Sequence, residues 1–219
     1  MARIWRFIDL RLALFAATLV VAALAPSVAH AARPGHADLL GGLIGGSCPF
    51  PSSKVFAPWG DNHGYYLAPN GGLEAGSYGW KLSGGASVVS GNEPFYASGS
   101  HSLSLPSGSS ATSPVTCIGP DNLAIRMFGA DKGGTDSGLR VRVVWYGLLN
   151  TVLGISDYTT FKAGGAWYPT ATCNSEGGFN LILPLLGSTS ARVQLTPLGS
   201  GSAWKIDDLY VDPWESRGA

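Results

Sequence analysis

The chain has 219 residues, in which 14 Lys and Arg balance 14 Asp and Glu. A zero balance with only 13% charged residues excludes the basic footprint of a nucleic-acid binder and the acidic one of a solvating tail, and 45% hydrophobic residues exclude disorder. Glycine, 31 of 219, is about twice its ordinary usage and follows no Gly-X-Y period, which excludes collagen and favours a turn-rich β fold.

Residues 1–31 read as a secretory signal peptide. Arg3, Arg6 and Arg11 precede an apolar run from Leu12 to Ala25, followed by Pro26 and Ala29-His30-Ala31, an A-x-A cleavage pattern. Fourteen residues make only about 21 Å of helix, short of a ~30 Å hydrocarbon core, so a membrane anchor is the poorer reading. Removing this segment, with Asp9, leaves 11 basic against 13 acidic residues and no basic cluster along the chain. The expectation is an exported monomer with no membrane span and no nucleic-acid partner.

Ala32 to Asn70 is rich in Gly and Pro without a sustained period, and is expected to form an irregular arm (32–69) anchored by Phe56 and Trp59; Asp38–Gly45 could form at most a helical turn. Three cysteines, Cys48, Cys117 and Cys173, lie beyond the signal segment. In an oxidising compartment two should pair, and Cys48–Cys117 would tether the arm at a gain of roughly 4 kcal/mol on the chain-entropy model. Cys173 would then stay free on a loop; Cys117–Cys173 is the alternative. No C-x-x-C or neighbouring histidine suggests zinc.

Short apolar-alternating runs follow: Gly79–Val89, His101–Pro106, Leu123–Phe128, Leu139–Tyr146, Phe179–Leu183, Ala191–Leu195 and Ala203–Val211. Turn-forming Gly/Ser/Asn/Pro clusters separate them, the pattern of a β-sandwich or barrel. Alternation puts Leu139, Val141, Val143 and Trp145 on one face of their strand and Arg140, Arg142, Val144 and Tyr146 on the other. Ala191, Val193 and Leu195 oppose Arg192, Gln194 and Thr196 in the same way. Trp80, Trp145 and Trp204 are expected in the core.

Nucleophile elbows, zinc-protease motifs, phosphate loops and EF-hand loops are absent. Asp61-Asn62-His63 reads as a surface turn, because residues so close seldom face each other productively. Glu93 and Glu176 are loop glutamates with nothing to bring them together as a hydrolytic pair. Catalysis is unsupported, and the expectation is a non-enzyme.

Two segments carry a resemblance: Asn70-Gly-Gly-Leu-Glu-Ala-Gly-Ser-Tyr-Gly-Trp80 and Trp204-Lys-Ile-Asp-Asp-Leu-Tyr-Val-Asp212. They resemble the two ends of galactose-binding-like jelly rolls, notably family 4/9 carbohydrate-binding modules, over residues 70–213, with Leu73 where that family usually has Phe. The resemblance implies an all-β antiparallel jelly-roll sandwich followed by a short tail (214–219). It also implies a structural Ca²⁺ held by Glu74 and Asp207, with Asp208 as the alternative ligand. Ca²⁺ takes six to eight oxygens, so backbone carbonyls would complete such a shell. More loosely, the chain is similar to secreted proteins of high-GC Gram-positive bacteria, a likeness that implies no activity.

The same family likeness implies carbohydrate as the partner. Sugar sites combine aromatic faces with polar side chains, which nominates Arg142 and Tyr146 on the polar sheet face, and Tyr158 and Trp167 on loops. A structural or adhesive envelope protein is the second reading, and a small extracellular hydrolase using Glu93 or Glu176 the third.

Overall fold

A computed structural model describes residues 52–96, 98–117, 123–134, 136–147, 150–162, 164–174 and 190–212, with only the backbone described at positions 158, 159 and 174. The signal segment, the Asp38–Gly45 turn, Cys48, the Phe179–Leu183 run, Glu176 and the 214–219 tail lie outside the described residues.

The described chain forms thirteen strands in two antiparallel sheets. They are β1 (Tyr66–Leu67), β2 (Lys81–Ser83), β3 (Ser87–Ser90), β4 (His101–Pro106), β5 (Ser110–Thr112), β6 (Thr116–Cys117) and β7 (Ala124–Asp131), then β8 (Gly138–Tyr146), β9 (Val152–Phe161), β10 (Tyr168–Pro169), β11 (Cys173–Asn174), β12 (Ser190–Leu198) and β13 (Ala203–Asp212). The first sheet runs β10-β7-β13-β4-β3, with β1 on β13 and β11 on β7. The second runs β2-β5-β12-β8-β9, with β6 on β12. Sequence neighbours repeatedly fall in opposite sheets, which gives the jelly-roll sandwich its crossovers.

Alternation builds the core between the sheets. Leu103, Leu105, Ile125, Met127 and Trp204 from the first sheet share one buried cluster with Leu139, Val141, Val143, Ala191, Val193 and Leu195 from the second. Each fully buried Val or Leu contributes about 1.5–3 kcal/mol, so these facing rows hold the layers together. Trp80, Trp145 and Trp204 are buried in it as expected.

Three expectations change. Gly79–Val89 is not one strand: β2 joins the second sheet and β3 the first. The turn between them holds Gly84 at φ +62, where a Cβ would stand 2.4 Å from the Gly108 carbonyl oxygen. Val152–Phe161 is a ten-residue strand carrying Tyr158, not a loop. Its pairing with β8 shifts register at Val141/Arg142 and at Trp145/Tyr146, and such irregularities blur the two-residue period in the sequence. Cys173 is buried on β11 rather than placed on a loop, and it is free.

Residues 52–69, the described part of the 32–69 segment, pack on the first sheet. Phe56 and Tyr65 are buried with Ala124 and Phe128 of β7, and Trp59, Tyr96, Trp167 and Tyr210 pack against them. Tyr66 and Leu67 pair with Val211 and Tyr210 of β13. This cover explains why every residue of β7 is buried, on both faces.

Candidate functional site

The outer face of the second sheet carries the polar side chains of the alternating strands. Cross-strand register aligns Lys81 with Thr112, Thr112 with Gln194, Gln194 with Arg142 and Arg142 with Asp157. One polar row therefore crosses five strands, about 19 Å at ~4.8 Å per strand. The Arg142 Nε donates to Asp157 Oδ1 at 2.5 Å. That hydrogen bond, with the charges of Arg142 and Arg140, outweighs desolvation and holds the Asp157 carboxyl below its usual range. Beside the row, Val144 pairs with Ile155 and Tyr146 with Val152, and both β9 residues are exposed. The Arg192 guanidinium lies 5.9 Å from the Tyr146 ring centroid, and its Nη1 donates to the Ser113 carbonyl at 2.9 Å.

Arg142 and Tyr146 thus share one face. Trp167 does not join them, because it packs against the aromatic cluster outside the first sheet. Tyr158 stands on β9 in the register gap between Asp157 and Thr159, and its side chain lies outside the described residues.

The nominated acidic residues lie on the Asn70–Trp80 loop and on β13, which meet where the Leu209 amide donates to the Gly71 carbonyl at 3.2 Å. Asn70, at φ +49, organises that loop: its Nδ2 donates to the carbonyls of Gly76 and Tyr78, and its carbonyl accepts from Trp80 Nε1 at 2.9 Å. Glu74 Oε1 accepts from the amides of Ser100 at 2.8 Å and His101 at 2.9 Å, and Oε2 from Ser100 Oγ at 2.9 Å. Desolvation pushes the Glu74 carboxyl up, but hydrogen bonds from Ser100 and His101 together outweigh it and hold it at about 2.

β13 bulges between Asp207 and Tyr210, and this separates the paired aspartates. Asp207 is buried, with Oδ2 accepting from the Glu93 amide at 3.2 Å and Oδ1 from the Asp208 amide at 2.8 Å. Burial, reinforced by the Asp208 charge, pushes it up to about 8. Asp208 takes φ +48 and sets Oδ1 against Gly72, where a Cβ would stand only 2.8 Å away. Burial and the charges of Glu93 and Glu74 push Asp208 up to about 6. Asp208 thus feels the charges of Glu93 and Glu74, whereas both oxygens of Asp207 accept from backbone amides. Among the described residues, no three His, Cys, Asp or Glu gather as a metal-binding group.

Two further groups bear on catalysis. Glu93 is buried and spends its oxygens on backbone, Oε2 accepting from the Phe95 amide at 2.5 Å and Oε1 from the Tyr96 amide at 2.8 Å. It caps a turn. Asp61 and His63 do meet, contrary to expectation, with Nδ1 and Oδ1 at 2.6 Å. Asp61 Oδ2 also accepts from Tyr65 Oη and Arg126 Nη1, each at 2.8 Å. Sequence reading could not find this group, since Arg126 is 65 positions from Asp61.

No family model and no curated protein matches the chain, so the looser likeness to secreted Gram-positive proteins has nothing to support it. Solved structures similar to it include TmCBM61 in complex with β-1,4-galactotriose, at 16% identity and a TM-score of 0.43, covering 66% of this chain and 96% of that one. A CBM 22 xylan-binding domain aligns at 12% identity and a TM-score of 0.43, covering 68% of this chain and 93% of that one. The CBM22-1–GH10 modules of Clostridium thermocellum xylanase 10B, complexed with xylohexaose, align at 12% identity and a TM-score of 0.47 over 67% of this chain. This chain covers only 28% of that protein's length.

Proposed function

We propose that the protein is an exported, non-catalytic β-sandwich that binds carbohydrate on the outer face of its second sheet. The observation that carries this reading is the registered row Lys81–Thr112–Gln194–Arg142–Asp157 beside the Tyr146 ring. Amide, hydroxyl and guanidinium groups at strand spacing suit the hydroxyls of an extended sugar chain. The Tyr146 ring with Val144 and Ile155 suits its C–H faces. Ca²⁺ at Glu74 and Asp208 would be structural, and a Cys48–Cys117 disulfide would tie down the arm; free Cys173 supports that pairing. Among the described residues no helix is long and apolar enough to cross a membrane.

Affinity electrophoresis against a panel of polysaccharides tests the reading. At least one polymer should retard the protein, Tyr146→Ala and Gln194→Ala should each weaken retardation several-fold, and Trp167→Ala should leave it unchanged. Retardation by none of them overturns it. The adhesive reading is favoured by one observation, the exposed Val152 and Ile155 on β9 at the end of the second sheet. It requires self-association that Ile155→Lys abolishes.

A further inference from the structure

Carboxylates are segregated in this chain, whereas cations stand on both sheets, Arg126 and Lys205 on the first. Lys81, Arg140, Arg142 and Arg192 stand on the outer face of the second sheet, and Asp157 is the single carboxylate among its described residues. The carboxylates of Asp61, Glu74, Glu93, Asp207 and Asp208 all serve the first sheet and its loops.

The spacing within the basic group is regular. Arg140 and Arg142 are two residues apart on β8, about 7 Å along one face. Arg192 lies opposite Val144, which makes it a diagonal neighbour of Arg142 at roughly 7–8 Å. Cations in strands often guard an exposed sheet edge, but β8 and β12 lie inside the order β2-β5-β12-β8-β9. Like charges packed on central strands repel, and one exposed carboxylate, already paired with Arg142, cannot neutralise Arg140, Arg142 and Arg192.

We infer that this face selects an acidic polysaccharide, one whose repeating carboxylates are uronates. The inference rests on the carbohydrate reading above and adds the chemical class of the ligand. Guanidinium forks take carboxylates in bidentate fashion, and Arg140 and Arg142 offer such forks on one strand face, while Arg192, whose Nη1 already serves the Ser113 carbonyl, adds its charge beside them. Gln194, Thr196 and Thr112 between them take the hydroxyls. The Asp157 partner is exposed and its pair with Arg142 is screened by water, so an incoming carboxylate can replace it.

The experiment compares polygalacturonate with the same polymer after carboxyl reduction, using the full chain in affinity electrophoresis and calorimetry. Polygalacturonate should bind at least tenfold more tightly, and its affinity should fall as salt rises. Arg140→Gln should cost several-fold without moving the melting temperature, Arg192→Gln should cost several-fold as well, and Arg140→Lys should recover part of the loss. Equal or tighter binding of the reduced polymer, or of neutral xylan or galactan, overturns the inference and leaves the carbohydrate reading standing. If no polysaccharide binds, both fall. Equal binding of single-stranded DNA overturns the inference as well, because the face would then be a general anion surface.

Discussion

Arg126 of β7 donates from Nη1 to Asp61 Oδ2 at 2.8 Å, and both side chains are about nine-tenths buried. The pair clasps the arm to the first sheet. Arg126 Nε donates to the Thr170 carbonyl at 2.9 Å, and its guanidinium lies 4.2 Å from the Phe56 ring centroid. One cation thus holds the arm, β7 and the segment after β10.

Removing one partner of a buried pair leaves the other uncompensated, at roughly 3–5 kcal/mol. Arg126→Met and Asp61→Leu should each lower unfolding stability by about that much, and the double variant should recover part of it. Urea titration checks this; additive losses would show that the two side chains act separately. Desolvation pushes the Asp61 carboxyl up, but hydrogen bonds from His63, Tyr65 and Arg126 outweigh it and hold it well below its usual 3.8. Its stabilisation is therefore present above that value and is lost as pH falls below it.

Asp207 should act with the opposite sign. Burial, with the Asp208 charge, raises it to about 8, so the folded chain keeps a proton that the unfolded chain releases near 3.8. Stability from this group is complete below 3.8 and declines as pH rises to about 8, with a slope of at most roughly 1.4 kcal/mol per pH unit. Denaturant midpoints measured in chelator between pH 5 and 8.5 should fall, and Asp207→Asn should flatten the limb above pH 6, below which Asp208, raised to about 6, declines in the same direction. A flat wild-type profile would show that the carboxyl ionises without cost.

Calcium should raise the melting temperature, and chelator should reverse the shift, because a cation relieves the repulsion among Asp208, Glu93 and Glu74. Glu74→Gln and Asp208→Asn should abolish the shift, while Asp207→Asn keeps it. No shift in the wild-type chain would remove Glu74 and Asp208 as calcium ligands.

Burial pushes the Cys173 thiol well above its ordinary range, so the native protein should resist thiol reagents. After unfolding without reductant one thiol per chain should react, and after reduction all three. Three reactive thiols without reductant would exclude the Cys48–Cys117 disulfide.

Much of the fold was legible because alternation is a local property of extended backbone. Leu139, Val141, Val143 and Trp145 point inward, and Arg140, Arg142, Val144 and Tyr146 outward, as their sequence order requires. β9 was not legible, since its register shifts interrupt the period. The division of Gly79–Val89 between two sheets was hidden too, because strand pairing is a long-range choice that no local run records.

The site divides along the same line. Sequence alone determined an all-β chain with buried tryptophans and a polar outer face holding Arg142 and Tyr146. Tertiary structure decided that Trp167 belongs to the other sheet, that Glu74 is held by Ser100 and His101, and that Asp61 finds Arg126. It also decided that the bulge in β13 sends Asp207 to Glu93 and Asp208 to Gly72. Side-chain direction along a strand is set by the residue's own backbone, whereas which strands lie adjacent is set by burial across the whole sandwich. Four dispersed cations, in a chain whose charges sum to zero, become one basic face only when β2, β8 and β12 are laid into a single sheet.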